Sequence, residues 1–350
     1  MPGEFIGYKD EIKEIEDTII DFGSEPAANI AIISGPYSGK TTLMDMLYHK
    51  FPLVSNKIVI PFSLTDFEGF DKVQKDNKGK IFFIDDCHML YKRKVGGFEA
   101  LGELLDYIAT HPEYLFITSW NIFSWKYLSE VLHVEKHFPC QIYLHELKKD
   151  EIKNLLMSPY DTGEVIFEKG DKDTIERYLT FEKYPLRIKS LERTIDIPIP
   201  KLNYSLLNSQ LNSFLSSVLQ KKPQQDKGET TAEDLAFIRI KDISSGNILL
   251  SQIIWNKSLH NSTIKVDEIY SPSIKSELDY DTTFVGFLIL SLGRVTQSSL
   301  EESIGDEIDV IRSLAILRKH ELIDIRDRIC SVKPEAIQYI ESLAKDARMS

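Results

Sequence analysis

The sequence predicts an α/β protein, with a parallel sheet covered by helices over residues 1–146, a helical stretch after it, and a small C-terminal helix-and-ribbon module. Three observations carry this reading. Five short apolar runs alternate with helical patterns in the first 146 residues, the rhythm of strand–helix–strand units. One run, Ile30-Ala31-Ile32-Ile33, turns into a Ser/Gly/Pro loop that ends in Gly39-Lys40-Thr41-Thr42 and enters a helical pattern. Another, Ile81-Phe82-Phe83-Ile84, is apolar on both faces, as buried parallel strands are, and ends in Asp85-Asp86.

Residues 5–22 place Ile12, Ile15, Ile19 and Phe22 at helical spacing, a helix docked on the core. The loop follows: Ser34, Gly35, Pro36, Tyr37, Ser38, Gly39, Lys40, Thr41 and Thr42. Gly39 lets successive backbone N–H groups face a phosphate, Lys40 reaches the β- and γ-phosphates, and the Thr41 hydroxyl ligates Mg²⁺. The N-terminus of the next helix, with Leu43, Met44, Leu47 and Phe51 on one face, adds its positive end. The motif departs from its consensus in having Ser34 where glycine is usual; Gly35 beside it supplies the flexibility.

A second strand is expected at 57–62, and the third ends in the two acids. Carboxylates at the C-terminal end of a strand lie where open α/β sheets bind ligands. Asp85 is assigned to Mg²⁺ and Asp86 to the attacking water. The basic run Lys92-Arg93-Lys94 is either a solvated loop or a polyanion contact. The strand Tyr114–Ser119 ends at Trp120-Asn121. Either Asn121 or Thr118 touches the γ-phosphate or its water, or Asn121 caps the helix holding Phe123 and Tyr127. A fifth strand covers 141–144.

From Lys148 helical patterns are expected at 149–157, 173–181, 185–195 and 205–220, interrupted by a polar insertion at 221–231. Ser245-Gly246-Asn247 opens a further helix, giving a helical domain over 147–270. A linker precedes the last domain, 278–350. There, helices at 283–292, 296–304 and 307–320, short strands around Arg326-Asp327-Arg328, and a final helix from Pro334 form the order of a winged helix.

A chain of 350 residues leaves room for two or three domains. Its net charge of −12 argues against a protein coated in nucleic acid, while leaving a local basic face open. Cys87, Cys140 and Cys330 have no metal-binding spacing and read as reduced thiols. The N-terminus has no basic-then-apolar signal, and the apolar run Phe284–Leu290 is too short to span a bilayer. A soluble cytoplasmic protein with no membrane partner is expected.

Taken together, these residues resemble AAA+ ATPases, in the branch that holds origin-recognition ATPases, STAND signalling ATPases and uncharacterised archaeal and bacterial ATPases. Phe5-Ile6-Gly7 with Glu11-Ile12 is similar to that branch's N-terminal box, with Gly7 near the adenine and Tyr8 where arginine is usual. Residues 35–42 look like Walker A, and Ile84–His88 look like Walker B with Asp86 in place of glutamate. Residues 117–121 stand where sensor 1 stands. The resemblance implies an ATPase using ATP and Mg²⁺, an all-helical lid, and ATP-dependent homo-oligomer formation.

Two further positions depart from the family. Ile248, Leu249 and Leu250 follow the Gly-Asn step where sensor 2 carries arginine, with Arg187 a weak substitute. Lys136-His137-Phe138 occupies the arginine-finger position. An arginine finger is worth orders of magnitude in rate, and lysine has no bidentate fork. ATP binding with slow or partner-stimulated hydrolysis is the expectation.

For the C-terminal module two readings stand. A winged helix most often puts its third helix in the major groove of double-stranded DNA, and here that helix and the wing offer Arg312, Arg318, Lys319, Arg326 and Arg328. Yet residues 284–345 hold eight Lys/Arg against ten Asp/Glu, a poor balance for phosphate binding. The other reading is a nucleotide-dependent switch that binds a protein partner.

Overall fold

The computed structural model describes residues 6–22, 28–52, 55–58, 60, 79–169, 231–274 and 276–349, together with the backbone of 179–188 and 193–202. The chain divides into two compact units: Met1–Glu146 with Pro272–Ser350, and Leu147–Ser271 between them.

In the first unit, α1 (Lys9–Asp21) buries Ile15 and Ile19, two of the residues at helical spacing. Then come β1 (Ile30–Ser34), α2 (Lys40–Lys50), β2 (Ser55–Ile58) and β3 (Ile81–Ile84). β2 stops earlier than the 57–62 expected, and residues 61–78 lie outside those described. α3 (Glu99–Thr110), β4 (Leu115–Asn121), α4 (Ile122–Leu132) and β5 (Cys140–Tyr143) complete the sheet. All five strands run parallel in the order β2-β3-β4-β1-β5. The parallel, helix-covered sheet expected from the sequence is therefore present. β1, β3 and β4 are buried along their whole length, as their unbroken apolar runs require. Because β4 lies between β1 and β3, its C-terminal end comes out between the loop after β1 and the acids after β3. The pairing Ile84↔Thr118 and Ser34↔Asn121 sets which side chains meet there.

The middle unit contains α5 (Lys149–Met157), β6 (Ile166–Glu168), β7 (Leu179–Ile188), β8 (Arg193–Leu202), α6 (Ala232–Ser244), α7 (Ile248–Ser258) and β9 (Thr263–Lys265). This corrects the expectation of an all-helical lid. β6 pairs with β9 in parallel, and β7 pairs with β8 in an antiparallel ribbon from Leu179↔Leu202 to Ile188↔Arg193. The ribbon stands where helices were expected at 179–181, 185–188 and 193–195, while 173–178 and 189–192 lie outside the described residues. The chemistry favours it: Ile195-Asp196-Ile197-Pro198-Ile199-Pro200 alternates with period two, and Pro198 and Pro200 stop a helix from running on past 195. In a two-stranded ribbon every strand is an edge, where proline is tolerated. The helix expected at 205–220 and residues 221–230 of the polar insertion lie outside the described residues.

The chain returns to the first unit with α8 (Tyr280–Leu292), β10 (Arg294–Thr296), α9 (Gln297–Ile304), α10 (Val310–Lys319), β11 (Ile323–Arg326), β12 (Ile329–Val332) and α11 (Ile337–Asp346). The three strands form an antiparallel sheet in the order β10-β12-β11. Asp327 and Arg328 both take left-handed backbone, the geometry of a two-residue hairpin turn. α8 contains the apolar run Phe284–Leu290 and is buried nearly all round, as a helix without a polar stripe must be. Gly286 permits its close packing, since a Cβ there would stand 3.4 Å from Leu317 and 3.6 Å from Ile340. On its other side α8 meets α4, with the rings of Phe123 and Phe287 5.6 Å apart, so one core runs from the sheet into this module. Burial of each such ring is worth about 2 kcal/mol. Among the described residues no helix is long and apolar enough to cross a membrane.

Candidate phosphate-binding site

The loop between β1 and α2 folds tightly around Lys40. Tyr37 and Gly39 both take left-handed backbone, with φ of 58° and 88°, and reverse the chain into the helix. The Lys40 ammonium is buried and donates to the Gly35 carbonyl (2.8 Å), the Ser34 hydroxyl (3.0 Å) and the Ser34 carbonyl (3.2 Å). Burial pushes its pKa down to about 8, against the opposing pull of Asp86 and Asp85. Ser38 Oγ lies 3.0 Å from the Gly35 carbonyl and 2.5 Å from Ser34 Oγ. A Cβ on Gly35 would meet nothing within 4 Å, so the loop has open space above it. Thr41 and Thr42 stand exposed in the first turn of α2. Tyr8, buried where the resemblance puts arginine, donates its hydroxyl to the Ser38 carbonyl at 3.1 Å. Its neighbour Gly7 is also left-handed, at φ 93°.

Asp85 and Asp86 follow β3 directly. The register puts Ser119 beside Asp85, one step beyond the Ile84↔Thr118 pair. The Ser119 hydroxyl donates to Asp85 Oδ1 and accepts from the Asp86 N–H at 2.9 Å. One buried hydroxyl thus fixes both acids. Asp86 itself has φ 55°, and burial pushes its pKa up while Lys40 and then Arg294 pull it down. A buried ammonium, small residues around it and two fixed carboxylates form a donor set that fits a Mg²⁺-bound phosphate chain.

Asn121 does the work of a cap. Its Oδ1 accepts from the Phe123 N–H at 3.0 Å at the start of α4, and its Nδ2 donates to the Leu290 carbonyl at 2.8 Å. Ser124 Oγ donates to the Ser291 carbonyl at 2.7 Å. The buried His88 ring accepts from the Asn121 N–H at 3.2 Å and hydrogen-bonds the Leu292 carbonyl through its other nitrogen. Three of the four carbonyls that a helix leaves unpaired at its C-terminus are therefore bonded by side chains around the phosphate site. The neutral tautomer with the proton on Nε2 follows from this network, and burial holds the His88 pKa down to about 3.

The same module reaches the site at three further places. Tyr37 Oη donates to the Val332 carbonyl at 2.7 Å. An Arg294 guanidinium nitrogen stands 3.9 Å from Asp86 Oδ2. Lys92 and Lys94 both bond Glu302 of α9, at 2.8 and 3.2 Å, while Arg93 lies 4.1 Å over the Tyr127 ring. The basic run is thus a surface loop whose two lysines are paired with a carboxylate.

Other expected residues fall elsewhere. Lys136 is exposed on a turn before the edge strand β5, three strands away from β3 and Asp86. Arg187 lies in β7, and its side chain is outside the described residues. Asn247 caps α7 through the Leu250 N–H, with Ile248–Leu250 following and no arginine there. Arg312, Arg318 and Lys319 are exposed on α10, and Arg326 and Arg328 on the ribbon; Arg312 bonds Asp279 at 3.2 Å and Arg326 lies 3.6 Å from Asp324. Ser119, His88 and Arg294 were not expected at the site. Ser119 was findable from strand alignment, whereas nothing in the sequence brings Arg294 to Asp86.

No family model matches this sequence, and no curated protein matches it. Among solved structures the chain is similar to the Thermotoga maritima RuvB Holliday junction branch migration motor, at 15% identity and a TM-score of 0.42, over 99% of this chain and 96% of that one. A substituted form of the same motor matches at 15% identity and a TM-score of 0.43, over 97% of this chain and 96% of that one.

Proposed function

We propose that this chain is a P-loop ATPase of the AAA+ type, binding Mg-ATP at residues 34–42 and hydrolysing it slowly, with a winged helix at its C-terminus. The observation that carries the reading is the meeting of buried Lys40 with the fixed acids Asp85 and Asp86 at one end of the parallel sheet. In this reading Lys40 binds the β- and γ-phosphates, with the backbone of Gly35–Gly39 and the start of α2 around them. Thr41 and Asp85 would hold Mg²⁺, which would supply positive charge against that of the phosphates. Asp86, its proton affinity raised by burial, orients the attacking water. Asn121 acts through the position of the β4 end, because its side chain is bonded to Phe123 and Leu290.

Slow turnover is supported by Lys136, Ile248 and Asp86 standing at positions where the resemblance has arginine, arginine and glutamate. The test compares Mg-ATP affinity and turnover for wild type and Lys40→Ala. Loss of binding by at least tenfold is expected, and unchanged affinity removes the site assignment.

A second reading, a nucleotide-dependent switch whose winged helix binds a protein, is favoured by the carboxylates beside Arg312 and Arg326. DNA association remains the first reading for the exposed Arg318, Lys319 and Arg328. Salt-dependent binding of duplex DNA by the intact chain, lost in Arg312→Glu/Arg318→Glu, supports it. Absence of binding at low salt with ATP present leaves the switch.

A further inference from the structure

Arg294 is the first residue of β10, and its approach to the phosphate site is built into the turn before it. Gly293 ends α8 with φ 73°, a conformation strained for any side chain, and a Cβ there would stand 3.5 Å from His88 Nε2. His88 is in turn held between Asn121 and Leu292. The turn is therefore fixed against β3 and β4, and it delivers the guanidinium to within 3.9 Å of Asp86 Oδ2. His88 lies 3.9 Å from the other oxygen, Oδ1, but is neutral, so it contributes no charge.

At neutral pH two cations thus act on Asp86, Lys40 from the phosphate loop and Arg294 from the C-terminal module. Arg294 is 57% exposed beside the loop. An ion pair at this distance and exposure is weak, so Asp86 alone does not hold the guanidinium in place. A terminal phosphate next to Lys40 carries more charge than a carboxylate and matches the fork bidentately.

We propose that Arg294 is the residue that recognises the terminal phosphate of a nucleoside triphosphate at this site, supplied within the same chain by the C-terminal module. The inference rests on the nucleotide reading of the 34–42 loop. It assigns Arg294 the role for which Lys136 and Ile248–Leu250 are unsuited, and it places a triphosphate-sensing group on the same turn that His88 and Asn121 anchor.

The experiment measures equilibrium binding of Mg-ATP and Mg-ADP by calorimetry to the full chain as wild type, Arg294→Ala, Arg294→Lys and Lys40→Ala. For Arg294→Ala, ATP affinity should drop at least tenfold and ADP affinity by less than twofold. Arg294→Lys, which keeps the charge without the fork, should fall between, and it also serves if the alanine variant does not fold. A wild-type ratio of ATP to ADP affinity in both variants overturns the proposal, as does an equal loss of both nucleotides. Lys40→Ala reports separately on the nucleotide site. If it alone leaves both affinities unchanged, the fault lies with that reading rather than with Arg294.

Discussion

The hydroxyl of Tyr37, at the tip of the phosphate loop, donates a 2.7 Å hydrogen bond to the carbonyl of Val332, 295 residues further along the chain. The candidate phosphate loop is tied there to the end of β12, the central strand of the C-terminal sheet. Tyr37→Phe keeps the ring and removes the bond, so it should lower stability by about 1 kcal/mol, the usual net worth of such a bond. Urea denaturation is the measurement. A midpoint equal to that of wild type would mean that the contact contributes nothing.

Asn121 joins two elements with one amide. Asn121→Ala removes the cap of α4, worth about 1 kcal/mol, and leaves the buried Leu290 carbonyl without its donor, about 1–3 kcal/mol more. Asn121→Asp keeps the cap acceptor but sets a carboxylate against that carbonyl. It should therefore be no more stable than the alanine variant, although aspartate is an excellent cap elsewhere. Thermal unfolding decides, and an aspartate variant as stable as wild type would show that the Leu290 bond is dispensable.

His88 makes stability depend on acid. Its pKa is held near 3 in the fold, while an ordinary imidazole titrates near 6.5. Between those values the unfolded chain holds the extra proton, so stability is complete above about 6.5 and falls as the pH drops toward 3, by at most about 1.4 kcal/mol per unit. His88→Gln should show a shallower decline between pH 6.5 and 5. Equal slopes would assign the acid sensitivity to other groups.

Lys40 gives the opposite arm. With its pKa at about 8, the ammonium loses its charge as the pH rises past that value. A bound phosphate favours the charged form, so binding takes up a proton above pH 8. Mg-ATP affinity should then weaken by up to about tenfold per unit. Lys40→Arg, which stays charged, should show no such decline, whatever its absolute affinity. A flat wild-type profile from pH 7 to 9.5 contradicts the role given to Lys40.

The parts of the site that could be read in advance are those written in consecutive residues. The 34–42 loop and the Asp85-Asp86 pair each carry their chemistry within one turn of backbone, and apolar runs mark the strands that hold them. Ser119 depends on how β3 aligns with β4, a relation between segments, although the spacing of the runs contains part of it. Arg294 depends on where a helix nearly two hundred residues after β3 comes to rest, and no local pattern encodes that; His88 lies within the 84–88 run, but its Leu292 partner depends on the same helix. The β7–β8 ribbon was misread for a different reason. Isoleucines and leucines there also fit a helical spacing, while the period-two run that marks the strand, Ile195–Pro200, lies almost wholly past the expected helix.

The first unit is interrupted: the chain leaves it at Glu146 and returns at Pro272. During synthesis the sheet and α4 are therefore complete long before α8 exists to cover them. Phe123 and its neighbours wait as exposed apolar surface while the middle unit is made, the situation in which nascent chains aggregate or engage chaperones. Closure then needs contacts between residues far apart in sequence, which slows folding. A fragment ending at residue 146 retains the loop and both acids, but it keeps that surface open, and purified alone it should self-associate rather than serve as a minimal nucleotide-binding domain.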